Sequence, residues 1–402
     1  MKAVTRRRFL GFSGVAAGAL ALGATALPWS DLLAAAARDP RPDGQGVLVV
    51  VTLYGGNDGL NTVVPVADPA YVRARPDLAY DPHEVLPLAA GLGLNPGMRG
   101  LEAVWRQGRM AVVQGVGYPR PDHSHFRSMA IWQTASPVTP SGAGWLGRWL
   151  DATGDDPLRA LSLDPVLPPL LVGERSAAAT LPLGGLPMPQ GRLGEALAAL
   201  GLPDATDDAF RARVAQSVEH LGSIGSSLAP ALAGRTPIDS TELAEQLSLA
   251  ADLITARVPT RVYSASLGGF DTHADARGTQ ERLLGVLDDA VAPFLARMAG
   301  TPAGRDVVVI VYSEFGRRVQ ANLSDGTDHG TAGPVFLLGD RVQGGLHGTM
   351  PSLTDLDAGD MRPTVDFRDV YATVLDGVLE ADADAVLREP RGRLGGLVKP
   401  PV

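Results

Sequence analysis

Cysteine is absent from all 402 residues, which excludes disulfides, thiolate nucleophiles and cysteine-ligated metals together. A chain of this length builds a core that needs no covalent staples, so the absence is compatible with an oxidising compartment. Lysine is almost missing too. Lys2 and Lys399 stand alone and arginine carries the remaining positive charge, a bias that reads as genome composition before function. Basic residues are outnumbered 35 to 44, and the formal net charge of −9 argues against a general nucleic-acid binder, because phosphate backbones demand a basic face. The sequence has no nucleotide-binding glycine fingerprint, no haem motif and no internal repeat, so a redox role has little support. What it does have, 45% hydrophobic and 20% charged residues, is the composition of a globular protein with a substantial core.

The N-terminus is a targeting segment. Thr5-Arg6-Arg7-Arg8-Phe9-Leu10-Gly11 is followed by a mildly apolar stretch to about Leu27 and a small-residue exit at Ala34 to Ala37. Paired arginines before Phe9-Leu10 mark the twin-arginine route, which exports folded proteins. The apolar stretch is rich in Gly and Ala and interrupted by Ser13, less greasy than a spanning helix of about 20 residues. Residues 1–37 are therefore expected to be a signal peptide that engages the twin-arginine translocase. The mature chain is then periplasmic, extracellular or cell-wall-associated, with no stable membrane span once the signal is removed. Replacing Arg6 and Arg7 together by lysine should leave the protein in the cytoplasm, as read by fractionation; normal export of that variant would defeat the assignment.

The remainder, 38–402, reads as one large α/β domain. Val47 to Leu53 is a β-branched run of the kind buried on both faces of a sheet, and it ends in the turn residues Gly55-Gly56-Asn57-Asp58-Gly59. An amphipathic stretch around Leu101 to Trp105 leads to a second run, Met110 to Val116. A polar knot, Asp122-His123-Ser124-His125, then precedes helical spacing over 126–134. Across 151–258 the texture shifts to Ala, Leu, Pro and Gly, which reads as a mostly helical insertion or cap: 207–220 and 240–257 look helical, and 164–190 is Pro-rich and loop-like. Strand signals resume at Thr260 to Leu267, Asp306 to Tyr312 and Pro334 to Leu338, with helices over about 279–298 and 367–379 between and after them. The alternation predicts a three-layer α/β/α sandwich around a mainly parallel sheet.

Metal-capable residues recur just past the predicted strand ends: Asp58, then His123 and His125, then Asp271 and His273, then Glu314, with His329 in the loop after it. The carboxyl edge of an open α/β sheet is where ligands bind. Carboxylates and neutral imidazoles delivered there form a ligand set for zinc, manganese or a similar divalent ion. Alternatives stay open for several of them. Asp58 also suits a turn, Glu314 is also neutralised by Arg317 or Arg318, and His347 also reads as a loop residue. His83 and His220 read as surface residues.

Six ordered motifs carry a resemblance. They are the export signal, Leu53 to Asn61, Asp122 to Ser128, Gly269-Phe270-Asp271-Thr272-His273, Ser313-Glu314-Phe315-Gly316-Arg317 and Thr327-Asp328-His329-Gly330. Together they resemble the domain-of-unknown-function 1501 family over nearly the whole mature chain. That family is similar to the alkaline phosphatase and sulfatase superfamily, which implies an α/β/α sandwich with divalent metals at the strand ends. Carried over by position, the resemblance implies a metal site at Asp58, Asp271, His273, Glu314 and His329, holding Zn, Mn, Ca or Mg. It implies Ser124 as nucleophile, flanked by His123 and His125, or a metal-activated water in its place. Arg127 and Arg317 are candidate clamps for ester oxygens. Where the superfamily's strand ends in Asp-His, this chain has Glu314-Phe315, and one imidazole ligand is lost. Two functions follow as expectations: a metal-dependent hydrolase of phosphate or sulfate esters, or a catalytically degenerate exported binding protein of the same fold.

Overall fold

A computed structural model describes residues 36–89, 91–138, 142–154, 156–181, 183 and 241–400. Residues 1–35, and with them nearly all of the signal segment, lie outside the described residues, as does the helix expected over 207–220. The chain divides into two compact units. One comprises Met1–Arg41, Gly142–Asp239 and Val258–Thr260; the other comprises Pro42–Ser141, Ser240–Arg257 and Arg261–Val402. In the first, a helix over Trp145–Thr153 and a parallel pair of short strands, Ala160–Ser162 and Ala179–Thr180, are described. The helix expected over 240–257 forms at Glu242–Thr255 and groups with the second unit.

The second unit is built on a sheet whose strands are β1 (Val47–Leu53), β2 (Met110–Gly117), β3 (Val262–Leu267), β4 (Val307–Ser313), β5 (Gly333–Leu338), β6 (Gly345–His347) and β7 (Val365–Asp366). Within this unit their order is β6-β2-β5-β4-β1-β3, with β7 pairing β2 beside β6. β1 runs parallel to β3 and β4, and Leu53 stands level with both Leu267 and Ser313. β5 is antiparallel to β4 and to β2, so β2 shares the direction of β1, β3 and β4. The sheet is thus mixed but mostly parallel, and the unit is an α/β sandwich.

Direction decides where the functional loops emerge. The carboxyl ends of β1, β2, β3 and β4 share one edge, and the antiparallel strand β5 begins at that same edge, with Gly333 opposite Val116. The run Val-Leu-Val-Val-Val-Thr-Leu of β1 is buried throughout. Each such side chain contributes about 1.5–3 kcal/mol on burial, which is why these runs become strands and hold their register. The unit's helices include α1 (Gly59–Thr62), α2 (Arg99–Arg106), α3 (His125–Thr134), α4 (Ala276–Ala299) and α5 (Phe367–Gly377). α3 is fixed by an aromatic block: Trp132 stacks on Tyr312 of β4 at 5.0 Å and 8°, and Phe367 and Tyr371 of α5 close around it. α2 is tied to α4 by Asp288, whose buried carboxylate accepts from the Gly100 and Leu101 amides at 2.8 and 2.7 Å. Among the described residues no helix is long and apolar enough to cross a membrane.

Candidate metal centre

The loop after β1 is shaped by its two glycines. Gly55 has φ +114 and a Cβ there would lie 2.5 Å from the Asp271 amide; Gly56 has φ +69 and a Cβ would strike the Phe315 ring at 2.3 Å. Only glycine lets this loop nest against the segments that follow β3 and β4. Arg317 locks the three together. Its side chain is fully buried, and its guanidinium donates to the carbonyls of Gly55, Gly56, Phe270 and Thr327 and to Asp271 Oδ1, the last at 2.7 Å.

Asp271, held from behind by Arg317, is the hub of the site. His329 Nε2 lies 3.1 Å from its Oδ1, His273 Nε2 3.0 Å and His125 Nε2 3.3 Å. His329 Nε2 is in turn 3.0 Å from both His125 Nε2 and His273 Nε2. His125, Asp271 and His329 make one triangular face, and His273 closes a second on the Asp271–His329 edge.

The outward ring nitrogens are oriented by acceptors. His329 Nδ1 donates to the His123 carbonyl at 2.7 Å, and His125 Nδ1 donates to Glu314 Oε1 at 2.8 Å. Asp328 Oδ1 stands 3.5 Å from His273 Nδ1. Fixing the proton on Nδ1 turns the Nε2 lone pair inward, the arrangement by which outer carboxylates and carbonyls prepare an imidazole to bind a metal. Phe315 packs against both His125 and His329, at 4.9 and 5.0 Å between ring centres.

Electrostatics bears on two of these groups, His329 and Asp271. Burial, aided by the Arg317 charge, pushes the His329 imidazole below its ordinary value, so the ring is neutral near pH 7 despite its bonds to His123 and Asp271. Burial alone would raise the Asp271 carboxyl, but the Arg317 and His329 hydrogen bonds and the Arg317 charge together outweigh it and hold the group well below the usual carboxylate range. The three imidazole nitrogens and the carboxylate oxygen thus crowd together, with separations of 3.0–3.3 Å. Such a crowd of donor atoms is satisfied by shared protons or by one cation among them. Donor atoms at 2.0–2.1 Å around one tetrahedral ion stand about 3.3 Å apart, close to these spacings. His125, Asp271 and His329 therefore fit three positions around a divalent ion, with His273 at the edge of the set.

The remaining expected residues are placed elsewhere. Asp58 does not join the cluster: its buried carboxylate pairs with Arg75 Nη1 at 2.6 Å and caps α1 through the Leu60 amide. Glu314 is not aimed inward either. It is buried behind His125, where it also accepts from the Gly55 amide at 2.9 Å and lies 2.8 Å from Ser313 Oγ, so it orients His125 instead of joining the cluster. Arg317 has its donors occupied by four carbonyls and Asp271, which leaves no fork for ester oxygens. Arg127 is exposed and pairs with Asp122 at 3.1 Å. His123 turns its ring to the buried Asp360, Nε2 to Oδ2 at 2.8 Å. Ser124 is the N-cap of α3, exposed, with no side-chain capping bond, beside His125.

His125, expected only to flank a nucleophile, is a full member of the cluster. Arg75 and Asp360 have no motif around them to signal their roles.

No curated protein matches this sequence. Solved structures similar to it include a protein of the alkaline phosphatase superfamily from Vibrio parahaemolyticus, 10% identical, with a TM-score of 0.43 over 93% of this chain and 80% of that one. The C-terminal periplasmic domain of EcEptC from Escherichia coli in complex with zinc is 11% identical, with a TM-score of 0.36 over 74% and 75%. A sulfatase-like protein from Bacteroides thetaiotaomicron is 12% identical, with a TM-score of 0.37 over 87% and 76%. These likenesses are distant, and the site stands on its own side chains. A sequence model of one family matches residues 118–401, most of the chain, and the protein belongs to that family, described as Protein of unknown function (DUF1501).

Proposed function

We propose that this chain is an exported, divalent-metal-dependent hydrolase of phosphate or sulfate esters. The observation that carries the reading is the meeting of three imidazole Nε2 atoms with Asp271 Oδ1 at 3.0–3.3 Å on the carboxyl edge of the sheet. His125, His273, His329 and Asp271 would hold the ion, and a donor set so rich in imidazole suits zinc or manganese over calcium or magnesium, which favour all-oxygen cages. When bound, such an ion supplies Lewis acidity to the non-bridging ester oxygens. Glu314 and the His123 carbonyl keep the ligand rings in their tautomers, and Arg317 keeps Asp271 ionised. Ser124 presents a hydroxyl at the N-terminus of α3, where the helix dipole favours a developing anion, and it is the nucleophile in this reading. Arg127, whose exposed pair with Asp122 is worth little, is free to turn toward an ester oxygen. Folded export by the twin-arginine translocase belongs to the same proposal.

One observation favours the alternative, a metal-binding protein without turnover. Asp58 and Arg317, both expected at the chemistry, are locked into the fold. A single set of measurements separates the two readings. Elemental analysis of the purified mature chain should find about one equivalent of zinc or manganese, and His329→Ala should weaken zinc binding at least 100-fold. The loaded protein should hydrolyse 4-nitrophenyl phosphate or sulfate, and Ser124→Ala should abolish turnover while keeping the metal. Metal without turnover selects the alternative, and a metal-free protein that resists loading removes both.

A further inference from the structure

A cavity of about 540 Å³ lies beside the cluster, walled in part by Tyr118, Arg120, His123, Thr331, Asp360 and Arg362. His123 joins the two places: its ring is in the cavity wall while its carbonyl holds His329. The volume is that of a small-molecule site. The charges on the wall are nearly all spent. Asp357 pairs with Arg362 at 3.4 Å, Asp360 with His123 at 2.8 Å and with Arg318 at 3.5 Å, and Asp366 with Arg368 and Arg391 at 2.6 and 3.1 Å. Among the described residues of the wall, Arg120 is the one charged side chain without an acidic partner.

Arg120 is also strained. Its φ is +55, in the left-handed region that a side chain with a Cβ adopts at a cost. It precedes Pro121, whose ring pushes the preceding residue toward extended backbone, so the conformation is disfavoured twice. Glycine would fit here without penalty. A guanidinium kept at a strained position, unpaired, on the wall of a cavity beside a metal centre has no structural task that we find. Strain of this kind points toward function when it is observed rather than assumed.

We propose that the cavity receives the part of the substrate remote from the reacting ester, and that Arg120 binds a second anionic group there: a carboxylate, sulfate or phosphate. The proposal rests on the ester-hydrolase reading of the cluster and narrows its substrates to compounds with two anionic groups. The neutralised carboxylates on the wall do not repel such a ligand, and the guanidinium fork matches its oxygens bidentately.

The test uses the zinc-loaded full mature chain and probes with uncleavable carbon–phosphorus bonds. It is titrated with phosphonates carrying a terminal carboxylate, over a series of chain lengths, and with alkylphosphonates of the same lengths. At a matching length the carboxylate should tighten binding about tenfold, as expected for one charge-assisted pair. Arg120→Gln should erase that gain and leave alkylphosphonate affinity unchanged. Arg120→Gly should lose the same gain yet raise the melting temperature by about 2 °C, because the strain is relieved. Equal affinities within every pair, a gain that survives in Arg120→Gln, or a lower melting temperature for Arg120→Gly would each overturn the proposal. If the chain holds zinc but binds no phosphonate of either kind, the ester reading itself fails and this proposal falls with it, so the two failures are told apart.

Discussion

Arg317→Ala should be the most damaging single substitution in the site, lowering stability by at least about 4 kcal/mol, because it leaves buried carbonyls without donors at about 1–3 kcal/mol each. The guanidinium donates to Gly55, Gly56, Phe270 and Thr327, groups from three chain segments that no other described side chain joins in this way. A loss of that size is a large part of a typical net stability of about 5–15 kcal/mol, so the variant should express poorly or unfold at markedly lower urea. Arg317→Lys keeps the charge but not the fork, and should fold with a lower urea midpoint. It should also bind zinc about 10–100-fold more weakly, as for other groups that orient a ligand from outside the coordination shell. An unchanged urea midpoint for Arg317→Ala, or undiminished zinc affinity in Arg317→Lys, would show that the guanidinium does not organise the site.

The second large effect lies at the Asp58–Arg75 pair, which has 2% and 0% side-chain exposure. Arg75→Met strands a carboxylate in the interior and should cost about 3–5 kcal/mol, the usual result of removing one partner of a buried pair. Arg75 also donates to the carbonyls of Val319 and Arg318 and to Asn61 Oδ1, so the double variant Asp58→Asn with Arg75→Met should recover only part of the loss. The cycle should therefore show coupling on the order of 2 kcal/mol. Asp58→Asn alone should lower the urea midpoint while leaving zinc affinity intact. If instead zinc affinity collapsed and stability held, Asp58 would be a ligand and not a brace.

That contrast shows how far the sequence carried. Val47 to Leu53 and Asp306 to Tyr312 are legible because an apolar β-branched run has few places to go except a doubly covered strand. His125, Asp271, His273 and His329 are legible because they follow or precede such runs, and strand ends of one direction share an edge. What a run of residues does not contain is the direction of its strand. Pro334 to Leu338 reads the same either way, and its antiparallel course is what brings His329 to the edge from the other side. Nor does a motif say which of its acids faces the cavity and which stands behind a neighbour. Glu314 and Asp58 occupy the expected places in sequence, yet their partners, His125 at a separation of 189 and Arg75 at 17, decide that one orients and the other braces. Arg75 and Asp360 sit in stretches without any chemical pattern, so nothing short of the fold could single them out.

On the proposed reading, the placement of the four residues also bears on when an ion is acquired. His125 and His329 are 204 positions apart, and Asp271 and His273 lie between them, so no nascent chain that stops short of residue 329 contains the site. It comes into being only when the sheet is complete. If the chain is exported folded, as proposed, its sheet is completed on the cytoplasmic side and its metal comes from the pool maintained there. In that case the identity of the ion is set less by the intrinsic preference of three imidazoles and a carboxylate, which rank copper and zinc above manganese, than by which of these ions the cytoplasm leaves available at the moment of folding.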